Sequence, residues 1–474
     1  MLELFFSIFP TREYKRGKLA FLTVAFALFV FFLTLFIKKT TGGIIEIDPI
    51  DFEFNIAIYL FWIRIVCLVY FFSTLLIMSI RWGLRNNWSL KNYLIVWHLR
   101  YQLNRAKFSD QGNNDNIQVL ILPKILLEFD TKERLTGKVK IQNSIEFDKQ
   151  LESIRLSSAL KGYKVESSFV SDDQHWYIFE FYSLNMENQK VFETVDDFLK
   201  DSLTDVDQYK LKFDSRYTAE IDNTLVIGSK GSGKSYAQIS LILQMINKKD
   251  QYDLYFLDPK RADFLAVGNL IDSEKTEHET SKMIEVVQKV HKKMEERQAL
   301  IEKKLKTRLV SDYKDFKLTP IVLFIDEYPE FKDKVYQHFE KKKDADKIID
   351  LINSIARLGR QSGVRLFLTM QRVDATILPG SIKNNMGLII VLGNAQNMTY
   401  ITALDRAEDV PNYQFSVGQG VYRDSSMTSP RLIFFPYLKF LDTLNKNLDE
   451  LKSDDEKIEL LSSVFKRRPK KTAL

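Results

Sequence analysis

Eight residues, Gly228-Ser229-Lys230-Gly231-Ser232-Gly233-Lys234-Ser235, fit the pattern G-x-x-x-x-G-K-[ST]. They lie between a β-like run, Thr224 to Ile227, and a helix-like run, Tyr236 to Ile246, which is the setting in which this pattern grips phosphate. Glycines let the backbone curl until successive N–H groups and a helix N-terminus face the anion, Lys234 can reach the β- and γ-oxygens, and Ser235 can ligate Mg²⁺. Such a loop needs an acid to hold the metal and a base to polarise water. The run "PIVLFIDEYPEF" supplies both, because the apolar stretch Ile321 to Ile325 ends in Asp326 and Glu327. A strand apolar on both faces suits the middle of a parallel sheet, and its C-terminal end is where α/β folds place ligands. Asp326 is therefore expected in the Mg²⁺ shell and Glu327 as the general base. A third β-like run, Val364 to Arg372, ends near Gln371, which suits a γ-phosphate sensor, although glutamine closing a strand is commonplace. Just upstream, Arg357 and Arg360 share one face of a helix ending near Gly363. They are either solvated helix arginines or a finger that reaches a neighbouring subunit's nucleotide.

The segments "GSKGSGKS", "LYFLDPKRADF", "PIVLFIDEYPEF" and "IARLGRQSGVRLFLTMQR", in this order, resemble the FtsK/SpoIIIE family of DNA-translocating ATPases, within the broader HerA/FtsK class. The resemblance spans roughly Asp214 to Tyr437. It implies a RecA-like α/β motor that works as a hexameric ring around DNA with ATP and Mg²⁺. The phosphate-loop roles then fall on Lys234 and Ser235, the acidic pair on Asp326 and Glu327, the sensor on Gln371 and the trans-acting arginine on Arg360. The stretch Asp258 to Phe264 recurs in the family after the second core strand, and the resemblance implies no catalytic role for it. The closing glycine-rich segment, Asp405 to Gly420, matches the family only loosely.

The elements that must carry these residues are preceded by a different kind of sequence. Leu19 to Ile37 is an uncharged apolar run of 19 residues, which as a helix spans roughly 28 Å, close to the bilayer core. Ile56 to Ile80 is a second such run, interrupted by Arg64, which is expected to snorkel outward or to face a partner helix. Arg12, Lys15, Arg16 and Lys18 precede the first run, and Arg81, Arg85, Lys91, Arg100, Arg105 and Lys107 follow the second. Only Lys38 and Lys39 lie between, against Glu46, Asp48, Asp51 and Glu53. Basic loops stay cytoplasmic, so a multi-pass plasma-membrane protein with both termini and the motor inside is expected. The first run ends in Lys38-Lys39 without a small-residue cleavage pattern, unlike a signal peptide.

The fold class expected is α/β, a RecA-like P-loop motor with a parallel sheet, preceded by two transmembrane helices and a small α+β module. The organisation runs as a membrane anchor over 1–106, a polar linker, "KFSDQGNNDN", from Lys107 to Asn116, and an α+β module over 117–190. The motor follows over 191–440 and a helical, basic tail over 441–474. Within the module the expected order is strand, strand, helix, strand, strand. Glu277 to Lys306 reads as a surface helix with one buried face, and Leu438 to Phe465 as helical.

Whole-chain charge excludes little: 68 basic against 62 acidic residues leave +6, too balanced to argue nucleic-acid binding by itself. Lys341-Lys342-Lys343 and Lys383 lie where the family's loops face the ring's pore, although a solvated charge run is the ordinary reading. The single cysteine, Cys67, permits no intrachain disulfide, and the five histidines show no metal-ligand spacing, so no structural zinc is expected.

Chromosome-segregating members of the family carry a C-terminal winged-helix module, for which 441–474 is short. Two spans, a module and one motor are more similar to the FtsK-type, TcpA-like coupling proteins of conjugative plasmids and integrative elements in Gram-positive bacteria. That resemblance implies a membrane-bound homo-oligomer, partnered by DNA, a relaxase and conjugation-channel proteins. A chromosome- or plasmid-partitioning translocase and a protein-export ATPase of a type VII-like system are the alternatives.

Overall fold

The computed structural model describes residues 11–41, 44–47, 52–55, 57–86, 88–105, 123–130, 133–144, 148–154, 156, 159–184, 189–373, 380–405, 410, 413–427, 429–451 and 453–466. The expected linker Lys107 to Asn116 lies outside these residues, as does the basic tail beyond Lys466. The chain divides into two compact units, Met1–Met186 and Glu187–Leu474.

In the first unit the two apolar runs form helices, Thr11–Thr41 and Ala57–Asn86, joined through an antiparallel pair, β1 (Ile44–Ile47) and β2 (Phe52–Asn55). Phe21–Thr40 and Ala57–Leu84 are long and apolar enough to cross a membrane. Their large side chains, among them Phe26, Phe32, Val66, Phe72 and Leu76, point outward, while Ala27, Thr34 and Leu60 are buried. Arg64 does not extend away from this pair: Nη2 donates to the Thr34 carbonyl of the other helix at 3.3 Å.

A third helix, Leu90–Arg105, leads to β3 (Ile125–Phe129), β4 (Thr136–Gln142), a short helix Asp148–Ser153, β5 (Tyr163–Val170) and β6 (Trp176–Ser183). The strands form an antiparallel sheet in the order β3-β4-β6-β5, the strand, strand, helix, strand, strand succession expected. Alternation explains it, since Val139 and Ile141 on β4 and Phe179 and Phe181 on β6 bury one face. Leu99 and Leu103 complete that core, so a helix that the sequence groups with the membrane anchor packs on the α+β module instead.

The second unit begins with β7 (Val191–Phe192), helix Val195–Leu203 and the small pair β8 (Lys210–Lys212) and β9 (Thr218–Glu220). Its centre is an eight-stranded sheet built from β10 (Thr224–Gly228), β11 (Asp253–Leu257), β12 (Thr276–Glu277), β13 (Ile321–Ile325), β14 (Val364–Met370), β15 (Leu388–Leu392), β16 (Gln419–Asp424) and β17 (Arg431–Phe434). The order is β12-β11-β13-β14-β10-β15-β16-β17. The first six run parallel, and β16 and β17 close the sheet antiparallel. β18 (Tyr437–Leu438) pairs with β7.

Every residue of β10, β13, β14 and β15 is buried, as expected of parallel strands covered on both faces. One face packs under helix Lys234–Asn247 through Val226, Phe256, Phe324, Phe367 and Ile390. Helices Thr280–Leu305 and Lys342–Ser362 pack on each other, and against β13 and β14 respectively. Thr280–Leu305 buries Met283, Val287, Val290 and Met294 along one stripe. The expected C-terminal helix is two, Lys439–Glu450 and Asp454–Phe465, because Leu451 leaves the helical region at ψ 137°.

Register across the sheet is what assembles the site. Phe256, Phe324 and Phe367 are direct neighbours on β11, β13 and β14; the first two rings stack at 5.3 Å between centroids, and the last two meet at 4.8 Å, tilted by 35°. A one-residue slip would send this ladder to the opposite face. With the ladder fixed, Leu257 pairs with Ile325 and Ile325 with Leu368, so Asp258, Asp326 and Thr369 come level at the C-terminal edge.

Candidate functional site

The phosphate-loop sequence follows β10 at the middle of that edge. Gly228 closes the strand, Gly231 and Gly233 take positive φ of 80° and 95°, and the helix Lys234–Asn247 starts immediately afterwards. Gly233 has a second reason to be glycine: a Cβ there would lie 2.4 Å from the backbone N of Gly418. Gly418 N–H donates to the Ser232 carbonyl at 2.9 Å, and Gly393 N–H donates to the Gln419 carbonyl at 2.8 Å. Gln189 holds the far side, its amide donating to the carbonyls of Val417 and Phe435. The segment around Gly418, weakly marked in the sequence, is thus the buttress of the loop. Ser229, Lys230 and Ser235 are exposed, whereas Ser232 is buried and its Oγ has no hydrogen-bond partner.

Lys234 Nζ donates to the Gly228 carbonyl and, at 3.5 Å, to that of Ser229. Burial lowers its pKa, against the opposing pull of Glu327 and Asp326. Burial likewise raises the carboxyl of Asp326; the Thr369 hydroxyl and Lys234 oppose this, and the negative charges of Asp258 and Glu327 add to it. An anion beside Lys234 and a cation beside Asp326 would each favour the ionised form.

The acidic pair sits one strand away from the loop's strand, with β14 between them. Asp326 N–H donates to the Leu257 carbonyl, and Thr369 Oγ1 donates to Asp326 Oδ1 at 2.5 Å. The same hydroxyl accepts from Glu327 N–H at 3.1 Å. Glu327 itself takes a left-handed backbone, φ 49°, uncommon away from glycine and frequent at functional positions. Its Oε1 accepts from the Gln371 N–H at 3.1 Å, and its Oε2 lies 3.5 Å from Lys260 Nζ. Gln371 therefore meets Glu327 through its backbone, with its side chain exposed. Thr369 is invisible to motif reasoning, since a threonine inside a buried strand carries no spacing signal.

The stretch left without a role in the sequence is also here. Asp258 is fully buried and accepts from the N–H groups of Lys260, Ala262 and Leu265 at 2.8–3.0 Å.

Arg357 and Arg360 are not part of this cluster. Both are exposed on the last turns of helix Lys342–Ser362, which ends where β14 begins. The seven residues of β14 separate them from Gln371 by about 20 Å, so neither reaches the phosphate loop of its own chain. They line a groove of about 670 Å³ with Glu220, Glu302, Tyr313 and Lys314. Lys341, Lys342 and Lys343 are exposed. Lys383 is not a free pore lysine: it pairs with Asp405 at 2.5 Å, and Asp405 also binds Arg423 at 2.8 Å. Among the described residues no group of three His, Cys, Asp or Glu is arranged to hold a metal.

Residues 188–332, which contain the phosphate loop, the Asp258 segment and the acidic pair, match the FtsK/SpoIIIE family. That segment is similar to an FtsK/SpoIIIE domain, a family of P-loop ATPases. The domain is similar to the Ftsk domain-containing protein YdcQ of Bacillus subtilis (strain 168), 25% identical over 181 residues, which cover 38% of this chain and 36% of YdcQ. It is also similar to the DNA translocase FtsK of Chlorobaculum tepidum, 24% identical over 238 residues, which cover 46% of this chain and 28% of that protein. The matches thus span about a third of these relatives' own lengths. Among solved structures, the pCW3 conjugation coupling protein TcpA, monomer form with ATPγS, aligns with 75% of this chain and 99% of its own at 17% identity and a TM-score of 0.43.

Proposed function

We propose that the protein is a membrane-anchored, ATP-driven DNA translocase that acts as a conjugative coupling protein, delivering relaxase-bound DNA to a secretion channel. The observation that carries the ATPase part of the reading is the alignment, on one sheet edge, of the phosphate loop with Asp326, Glu327 and the Thr369 hydroxyl that ties the two acids together; the coupling role is supported by the combination of two apolar helices, one α+β module and one motor sequence.

In this reading Gly228 to Ser235 wrap the triphosphate with backbone N–H groups, and Lys234 leaves its loop carbonyls for the β- and γ-oxygens. The donor set suits Mg²⁺, because a serine hydroxyl and a carboxylate are hard oxygen ligands. Ser235 and Asp326 would hold the ion, which neutralises charge on the transferred phosphoryl group. Glu327, fixed by the Gln371 N–H, accepts the proton of the attacking water.

Arg360, remote from its own loop, acts on a neighbouring subunit, which makes a ring, by the family's habit a hexamer, the working form. The two apolar helices support anchoring in the plasma membrane. The charge distribution supports cytoplasmic termini and a cytoplasmic motor. Two measurements test the reading together. A Lys234→Ala strain should lose transfer in a mating assay, and purified full-length protein should hydrolyse ATP faster when DNA is added. Normal mating by the variant would remove the coupling role.

A further inference from the structure

The segment Asp258 to Ala262 presents Lys260 to Glu327. Asp258, buried at the end of β11, gathers three backbone N–H groups, which forces the chain through a left-handed Arg261, φ 56°. A non-glycine residue stays in that region only where its surroundings hold it there. Lys334, on the helix that follows Glu327, donates Nζ to the Pro259 carbonyl and fixes the loop from the other side. Lys260 therefore leaves a rigid base. Its ammonium reaches Glu327 Oε2 at 3.5 Å, on the side of the carboxylate opposite the Gln371 N–H that occupies Oε1.

We infer that Lys260 is a positioning residue for Glu327: with the Gln371 N–H it clamps the carboxylate between β11 and β14. The inference rests on the ATPase reading above. A glutamate side chain rotates freely about three bonds unless something holds it, and a base displaced by about 1 Å loses up to about a hundredfold in rate. One N–H fixes one oxygen and leaves the carboxylate free to swing about it. A second contact on the other oxygen removes that freedom. Lysine can do so without blocking the reaction, because a carboxylate offers about four lone-pair directions and these two contacts occupy two. Burial of Glu327 supports the assignment, since a largely desolvated carboxylate gains more from a nearby cation than an exposed one does. Lys260 also lies within electrostatic range of Lys234, whose charged form it disfavours, so the two lysines face one small space.

The test uses full-length protein in detergent or nanodiscs with ATP, Mg²⁺ and DNA. Lys260→Ala should lower kcat about tenfold while KM and the affinity for a fluorescent ATP analogue stay within about twofold, because the phosphate loop is untouched. Lys260→Arg should restore most of kcat by returning the charge. The decisive arm is a double-variant cycle: in a Glu327→Gln background, Lys260→Ala should cost nothing more, since a residue that acts only through Glu327 has nothing left to position. Full turnover by Lys260→Ala, a rise in KM at unchanged kcat, or losses that multiply in the double variant would each overturn the role. Wild-type protein that hydrolyses no ATP would overturn the ATPase reading instead, which keeps the two failures apart.

Discussion

Gly233→Ala places a methyl group where the phosphate loop meets its buttress. The new Cβ would sit 2.4 Å from Gly418 N and 2.8 Å from Gly418 Cα, both backbone atoms, at a φ of 95°. The left-handed conformation costs about 1–3 kcal/mol for a residue with a side chain, and overpacking against backbone adds about 1–3 kcal/mol. Relief by backing Gly418 away would break its hydrogen bond to Ser232. Gly231→Ala is the internal comparison, because Gly231 has a similar φ of 80° but nothing within 4 Å of its would-be Cβ, which leaves only the same conformational cost of about 1–3 kcal/mol. Hydrogen exchange across 228–247 reads the difference directly. At 1.36 kcal/mol per tenfold, Gly233→Ala should speed exchange at least about thirtyfold, and clearly more than Gly231→Ala. Exchange as fast in Gly231→Ala as in Gly233→Ala would refute the claim that Gly418 buttresses the loop.

Three further outcomes follow from the geometry. Lys234→Ala and Arg360→Ala proteins, each nearly inactive alone, should regain part of the DNA-stimulated ATPase when mixed, because an intact site can then meet an intact arginine; silence in rings shown to be mixed would clear Arg360 of the role and point to Arg357. Burial alone would raise the carboxyl of Asp253, but Lys293 at 2.8 Å and Lys275 at 3.3 Å overcome it and hold the pKa below its ordinary value. That contribution is present above the unfolded pKa of about 3.9 and is lost as pH falls through the lower folded value. Asp253→Asn should therefore destabilise by about 1–2 kcal/mol at pH 7, as followed by urea unfolding, and the gap should close below about pH 4; a gap independent of pH would contradict the ion pair. A reporter fused after Leu474 should be active in the cytoplasm and one inserted near Gly43 only outside; finding both on one side would refute the two-span topology.

The glycine-rich loop between a strand and a helix, and the acidic pair at the end of β13, were legible in placement because particular residue types at fixed spacing beside a strand mark them. The parallel core strands were legible as unbroken apolar runs. Thr369, Lys260 and Gly418 were not, because each acquires its meaning from a neighbour distant in sequence: Thr369 from Asp326, Lys260 from Glu327, Gly418 from Gly233. Arg360 shows the same limit from the other side. Its helix was readable, but its distance from the phosphate loop depends on β14 running parallel to β10, which puts the start of β14 at the edge opposite the loop. The pairing of Lys383 with Asp405 likewise depends on a contact that local periodicity does not encode, whereas the split of the C-terminal helix has a local mark, Ser453 ahead of Asp454, Asp455 and Glu456 in the first turn of the second helix.

If Glu327 activates water at a site built by Lys234, Ser235 and Asp326, as proposed, single-turnover hydrolysis by the Glu327→Gln protein separates that step from ATP and Mg²⁺ binding measured on the same sample. Glutamine keeps the shape and can still accept the Gln371 N–H, but it cannot take a proton, so binding should persist while hydrolysis falls at least about 10²-fold. Hydrolysis near the wild-type rate, with binding intact, would contradict the account.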